Sequence, residues 1–381
     1  MLGYSDVPLF RYPDIPISSC LRASVVGWFA MKFLLPLLLL ATASAQNWKP
    51  LAVNTTASLR GLSVVNDKIV WASGTGGTVL RTTDGGKTWS VITVAGAESL
   101  DFRGIRAFDA NTAVIISSGP AEKGQAQIYR STDGGRSWKK TFEQKAAGIF
   151  FDAVAFWDPK HGIVLSDPVA GKFALFTTED GGVTWRQLPA SNLPDALPNE
   201  GAFAASNSCL TVQGTSNVWF ATGGAKVARV FHSADRGKTW TVAETPMHPT
   251  NASSGIFSLA FEDAKSGIAV GGDYQKPDGS DLPNALWTLD GGKTWQAEKT
   301  NPPGMYLSSV AFVWHPEKNS LLAAGTKGLL HGVGGSPLDK QESDANINAV
   351  AGTGANIRIS WWAVGPKGLV LRKTKLDMGG N

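Results

Sequence analysis

A chain of 381 residues with a formal net charge of +4 carries too little and too scattered a charge to single out nucleic acid as a partner, and its 43% hydrophobic content excludes a disordered polymer. Only 17% of the residues are charged, whereas 43 are Gly and 14 are Trp, which predicts many turns, few long surface helices and an all-β chain.

Residues 1–30 lack the short basic start of an export signal and read as an upstream extension or a mis-assigned start. Residues 31–45, MKFLLPLLLLATASA, have that start at Met31 and Lys32, a leucine-rich run and a small-residue ending, so a signal peptide cleaved after Ala45 and a periplasmic or secreted location are expected. Its apolar run is far shorter than the ~20 residues that span a membrane, and the mature chain from residue 46 has no longer one. That mature chain keeps a net charge near +3, because residues 1–45 hold three basic and two acidic side chains. Cys209 is its one cysteine, so no internal disulfide is expected; with no adjacent His or basic residue, it reads as a buried inert thiol.

From residue 82 onward one string recurs five times: TTDGGKTW (82–89), STDGGRSW (131–138), TEDGGVTW (178–185), SADRGKTW (233–240) and TLDGGKTW (288–295). Two short apolar segments precede each copy, as LRGLSVV and KIVWASG precede the first, and one follows it; each unit therefore predicts four strands. Two more units, SSVAFVW with SLLAAGTKGLL and INAVAGT with SWWAVGPKGLVLRKT, keep the inner strands without the string. Seven units, starting near 59, 102, 151, 201, 255, 306 and 346, predict a seven-bladed β-propeller of four-stranded antiparallel blades over residues 46–381. The last unit lacks an outer strand, and NWKPL at 47–51, with Trp48 where each string has its tryptophan, is expected to supply it from the start of the mature chain.

The strings match the Asp-box (BNR) pattern S/T-x-D-x-G-x-T/S-W, and the fuller unit ASGTGGTVLRTTDGGKTW resembles the Ycf48/HCF136-like photosystem II assembly factors. The resemblance implies a binding or assembly module that meets a protein partner in the cell envelope through an arginine-rich patch on the propeller. It also implies peripheral boxes. Accordingly Asp84, Asp133, Asp180, Asp235 and Asp290 are turn stabilisers, and Trp89, Trp138, Trp185, Trp240 and Trp295 pack the outer strands.

If the boxes occupy the third-to-fourth turns, function is expected on the opposite face, at the starts of the first strands and in the second-to-third connections. One column there reads Arg60, Arg103, Asp152, Phe257, Ser308 and Asn348, with Glu200 upstream of the fourth unit. Arg60 and Arg103 fit a basic patch, and Asp152 interrupts it. Long connections add Asp167, Lys172, Asp273, Tyr274 and Lys276. With Arg106 and Arg229 these could form a mixed-charge pocket for a carboxylate, a sugar or a peptide.

The alternative is a glycoside hydrolase, with a catalytic carboxylate pair drawn from Asp167, Glu200 and Asp273 and a glycan as partner. A sialidase site fits poorly, since the mature chain offers only Tyr129, Tyr274 and Tyr306 and has no arginine string ahead of the first box. No metal or other cofactor is expected, because the five His are isolated and no phosphate-cradling motif occurs; the weak charge gives no nucleic-acid partner, and a monomer is expected.

Overall fold

The computed structural model describes residues 47–376, apart from 280, 300–303, 314–318, 334–337, 339 and 356–357. The segments read as an extension and a signal, 1–30 and 31–45, lie outside them. Seven four-stranded antiparallel sheets follow one another along the chain, each with its strands in sequence order except the last. Blade 1 is typical: Leu59–Val64, Val70–Gly74, Thr78–Thr82 and Ser90–Thr93. The other first strands are Phe102–Ala107, Phe151–Phe156, Leu210–Gln213, Ser254–Phe261, Ser309–Val313 and Ala349–Ala355. Each first strand packs beside that of the next blade, and the seventh beside the first, so the blades close a propeller ring. Among the described residues no helix is long and apolar enough to cross a membrane.

The core lies between blades, because a sheet buried on both faces must cover each with its neighbours. One cluster joins Val114 and Ile128 of blade 2 to Phe151, Val164 and Phe176 of blade 3. Trp71, Trp219 and Trp362, all on second strands, are fully buried. Their indoles bridge blades: Trp71 Nε1 donates to the Asp109 carbonyl at 3.0 Å, and Trp219 Nε1 to that of Gly291 at 2.8 Å.

The seventh sheet closes the ring by pairing the first described strand with the last. Blade 7 has the order Lys49–Pro50, Val370–Leu376, Arg358–Val364, Ala349–Ala355, with Lys49 opposite Arg372 and Pro50 opposite Leu371. Proline is tolerated there because this is an edge strand whose missing N–H belongs to no ladder. Trp48 packs on the blade 6–7 cluster, and its indole donates to Glu342, which also pairs with Lys373.

All five boxes are third-to-fourth turns built alike. The opening Ser or Thr hydroxyl donates to Asp Oδ1 at 2.7–2.9 Å. The Ser or Thr four residues after the Asp, that is Thr88, Ser137, Thr184, Thr239 and Thr294, donates its hydroxyl to Asp Oδ2 at 2.6–2.7 Å. These bonds hold each Asp below the usual carboxylate range; Asp133 and Asp290 fall to about 2, with the bonds from Ser137 and Thr294 the largest cause. The fourth box has Arg236 at a φ of 61°, where the other boxes have Gly.

The arginine before a box has a role that the sequence reading did not assign. Arg81 Nη1 donates to the Ala110 carbonyl at 2.8 Å and Arg130 Nε to that of Gly181 at 3.0 Å, each clasping the next blade. Arg372 does the same across the ring closure, to the Gly85 carbonyl. The signal was the shared Arg ahead of TTDGG and STDGG.

Candidate functional site

Strand alternation places the starts of the first strands and the second-to-third connections at the end of the ring opposite the boxes. A cavity of about 460 Å³ opens there. The column Arg60, Arg103, Asp152, Phe257, Ser308 and Asn348 lines it, joined by Asp167 and Tyr274 from the connections.

Backbone irregularity explains how charged residues come to face a channel between buried strands. In blades 1, 2, 3 and 5 the register of first and second strands skips one residue: Leu59 and Gly61 face Gly74 and Ser73, so Arg60 is extra. Arg103, Asp152 and Phe257 are the skipped residues of the other three. A β-bulge turns its extra residue out of the pleat, and here each turns into the cavity.

The floor is the segment 203–207, which precedes the first strand of blade 4. That strand starts at Leu210 rather than near 201, because the preceding residues cross the channel. Asn207 Oδ1 accepts the Val154 N–H at 2.8 Å and its Nδ2 donates to the Val154 carbonyl at 3.1 Å. Ser206 Oγ donates to the Ser308 carbonyl at 2.7 Å. Phe203 stacks on Phe257 with ring centroids 3.8 Å apart. The crossing is tight enough to need Gly104, where a Cβ would stand 2.5 Å from Asn207 Oδ1.

The polar groups run around the rim in chain order. Arg60, half-buried, donates one long bond, Nη1 to the Ala205 carbonyl at 3.5 Å, and its Nε is buried without a partner. Burial and then the Arg103 guanidinium pull Arg60 below the usual arginine range. Arg103 is better held, by Asp101 at 2.7 Å and the Ala204 carbonyl at 3.2 Å. Asp152 is 1% exposed, and its Oδ2 has no hydrogen-bond partner. Burial, reinforced by the charge of Asp167, pushes its carboxyl well above the usual range against the opposing field of Arg103. Burial also pushes Asp167 up to about 6, although its Oδ1 accepts the Ala202 N–H at 2.9 Å. Opposite stands an aromatic wall, with Tyr306 and Tyr274 edge-on to Phe257 at 4.9 and 6.2 Å.

The remaining sequence candidates are placed elsewhere. Glu200 and Arg229 form a buried ion pair, with Arg229 Nε on Glu200 Oε1 at 2.9 Å; Glu200 also accepts from Thr222 Oγ1 at 2.6 Å and the Leu197 N–H at 2.8 Å. The pair fixes the approach to the channel-crossing segment and leaves no free oxygen for chemistry. Asp273 is buried and accepts from Ser253 Oγ at 2.6 Å, Asn251 Nδ2 and the Gln275 N–H both at 2.9 Å, an Asx-type turn anchor. Neither lines the cavity with Asp167. Lys172 pairs with Asp195 at 2.8 Å, Lys276 is exposed in its loop, and Arg106 is exposed farther along the first strand of blade 2; all three lie outside the lining. Cys209 is fully buried, and burial pushes its thiol well above the ordinary range. Among the described residues no three His, Cys, Asp or Glu side chains are grouped to hold a metal ion.

Residues 40–140 match the family model for the photosynthesis system II assembly factor YCF48. Among solved structures, YCF48 from Cyanidioschyzon merolae is 18% identical with a TM-score of 0.59, covering 86% of this chain and 98% of that one. A structure of YCF48 bound to a D1 peptide is 17% identical with a TM-score of 0.56, over 86% and 96% of the two chains. This chain is an Asp-box β-propeller resembling YCF48. An ancestral GH74 enzyme shares the fold at 14% identity and a TM-score of 0.57, with 86% of this chain covering 46% of that one. No curated protein matches the sequence significantly. The YCF48-like propeller thus combines a box-bearing periphery with a charged, aromatic-walled cavity at the opposite mouth of its channel.

Proposed function

We propose that this YCF48-like propeller is an exported, non-enzymatic binding or assembly module that holds a segment of a protein partner in the cavity on the face opposite the boxes. The observation that carries the reading is the set of four bulges, which spend backbone regularity to aim Arg60, Arg103, Asp152 and Phe257 at one space. A pre-formed rim of charges beside an aromatic wall suits an extended peptide, whose side chains supply both apolar area and charge. YCF48 bound to a D1 peptide gives a propeller of the same fold with a peptide ligand. Binding is favoured over glycan hydrolysis because Glu200 and Asp273 are saturated by structural hydrogen bonds, leaving Asp167 without either as a catalytic companion. The test is affinity capture from an envelope extract by the wild-type propeller and by Arg60→Glu with Arg103→Glu. Loss of the captured protein from the double variant is expected; equal recovery would remove the cavity from the binding reading.

A further inference from the structure

The order of charge around the cavity is informative beyond its presence. Arg60 and Arg103 stand on blades 1 and 2, and Asp152 and Asp167 both stand on blade 3, so the rim is positive at one end and negative at the other. At each end a charged lining side chain has a buried, unpartnered polar atom, Nε of Arg60 and Oδ2 of Asp152. Leaving such atoms without partners is costly, and a ligand that reaches both would recover that cost. A simple anion satisfies Arg60 but meets the two carboxylates. A simple cation satisfies Asp152 but meets two guanidiniums.

Resting on the peptide-binding reading, we propose that the cavity selects a dipolar peptide group, one that offers a carboxylate to Arg60 and an ammonium to Asp152 and Asp167 while an apolar body lies against Phe257. The volume of about 460 Å³ is that of a small-ligand pocket, so the recognised unit is short. Arg103 contributes less to the ligand because Asp101 and the Ala204 carbonyl already hold it. The ammonium end is poised for proton linkage. Both carboxyls are raised by burial, Asp167 to about 6, and an arriving cation favours their ionised forms, so binding at a pH where they are protonated releases protons. The groups facing this end are Arg103 and, behind Asp152, the Cys209 thiol; those facing Arg60 are Arg103, Asp101 and Tyr306.

Such a dipole occurs in a free dipeptide and in an internal segment bearing Lys and Asp side chains, and calorimetry on the full chain separates them. The probes are the free dipeptide leucyl-phenylalanine, its N-acetylated and C-amidated forms, and an end-blocked hexapeptide carrying one Lys and one Asp. Binding of the free dipeptide, weakened at least tenfold by either blocking group, assigns the source to free termini. Tighter binding of the blocked hexapeptide assigns it to an internal segment. In either case Asp152→Asn should erase the benefit of the ammonium and Arg60→Gln that of the carboxylate, by at least tenfold each. Asp152→Asn is near-isosteric and should melt no earlier than the wild type, so a loss of binding is not a loss of fold. The proposal is overturned if N-acetylation or C-amidation of the binding ligand costs nothing, if Asp152→Asn binds as the wild type does, or if no probe binds. In those cases, capture of a partner that Arg60→Glu with Arg103→Glu abolishes still leaves the binding reading standing, whereas no such capture removes the reading itself.

Discussion

The two raised carboxyls should make the fold less stable as pH rises through a defined window, and Asp167→Asn should remove part of that slope. A carboxyl whose folded value lies above its unfolded one binds more protons when folded, so stability is highest below the unfolded value and falls as the group is forced to ionise. For Asp167 the window runs from the ordinary value near 4 to about 6. At ~1.4 kcal/mol per unit the two-unit shift corresponds to about 3 kcal/mol, and partial exposure of the side chain to solvent reduces this to about 1–2 kcal/mol. Asp152 acts in the same direction. The box carboxylates act in a separate window: Asp133 and Asp290, lowered to about 2, contribute stability that is lost only as pH falls from about 4 toward 2. Denaturant unfolding followed by tryptophan fluorescence at pH 4.5 and 7.5 isolates the effect, because histidine titration cancels in the difference between variant and wild type. Asp167→Asn should gain about 1–2 kcal/mol on the wild type at pH 7.5 and little at pH 4.5. A difference that is the same at both pH values, or larger at pH 4.5, would refute the reasoning.

Removing one box carboxylate should weaken the ring without touching the cavity. Asp180 accepts four bonds, from Thr178 Oγ1, the Val183 and Thr184 N–H groups and Thr184 Oγ1, so Asp180→Ala should cost about 1–2 kcal/mol in denaturant unfolding and leave partner capture unchanged. At Arg236, with its φ of 61°, Arg236→Gly should be more stable than Arg236→Ala by about 1 kcal/mol, since both lose the arginine contacts and only glycine escapes the left-handed strain. Trp48→Ala should lower stability by about 2 kcal/mol through loss of the half-buried indole that seats the closing strand, with a smaller effect in a chain already lacking the Glu342 carboxylate as Glu342→Ala.

Repetition made the fold legible. A Ser/Thr–Asp–Gly–Trp turn is a local device whose hydrogen bonds are made within eight residues, so five copies announced five third-to-fourth turns, and alternation of strand direction then named the opposite end of the ring as the place for a ligand. The column Arg60, Arg103, Asp152, Phe257, Ser308 and Asn348 was readable for the same reason, since equal positions in repeated units meet around one axis.

Sequence could not assign partners to the carboxylates on that face. Glu200, Asp273 and Asp167 look alike as letters, yet Arg229 and Thr222 saturate the first, Ser253 and Asn251 hold the second, and the third keeps a place in the cavity. Nor could it show that 203–207 crosses the channel, because the contacts that hold it, to Val154, Ser308 and Phe257, come from blades 3, 6 and 5. The periodic sequence by itself determined the blades, the boxes and the candidate face, because their causes are local or repeat by symmetry. Only the tertiary structure decided which charges remain unpaired and what floors the channel, because those depend on encounters between segments that no repeat relates.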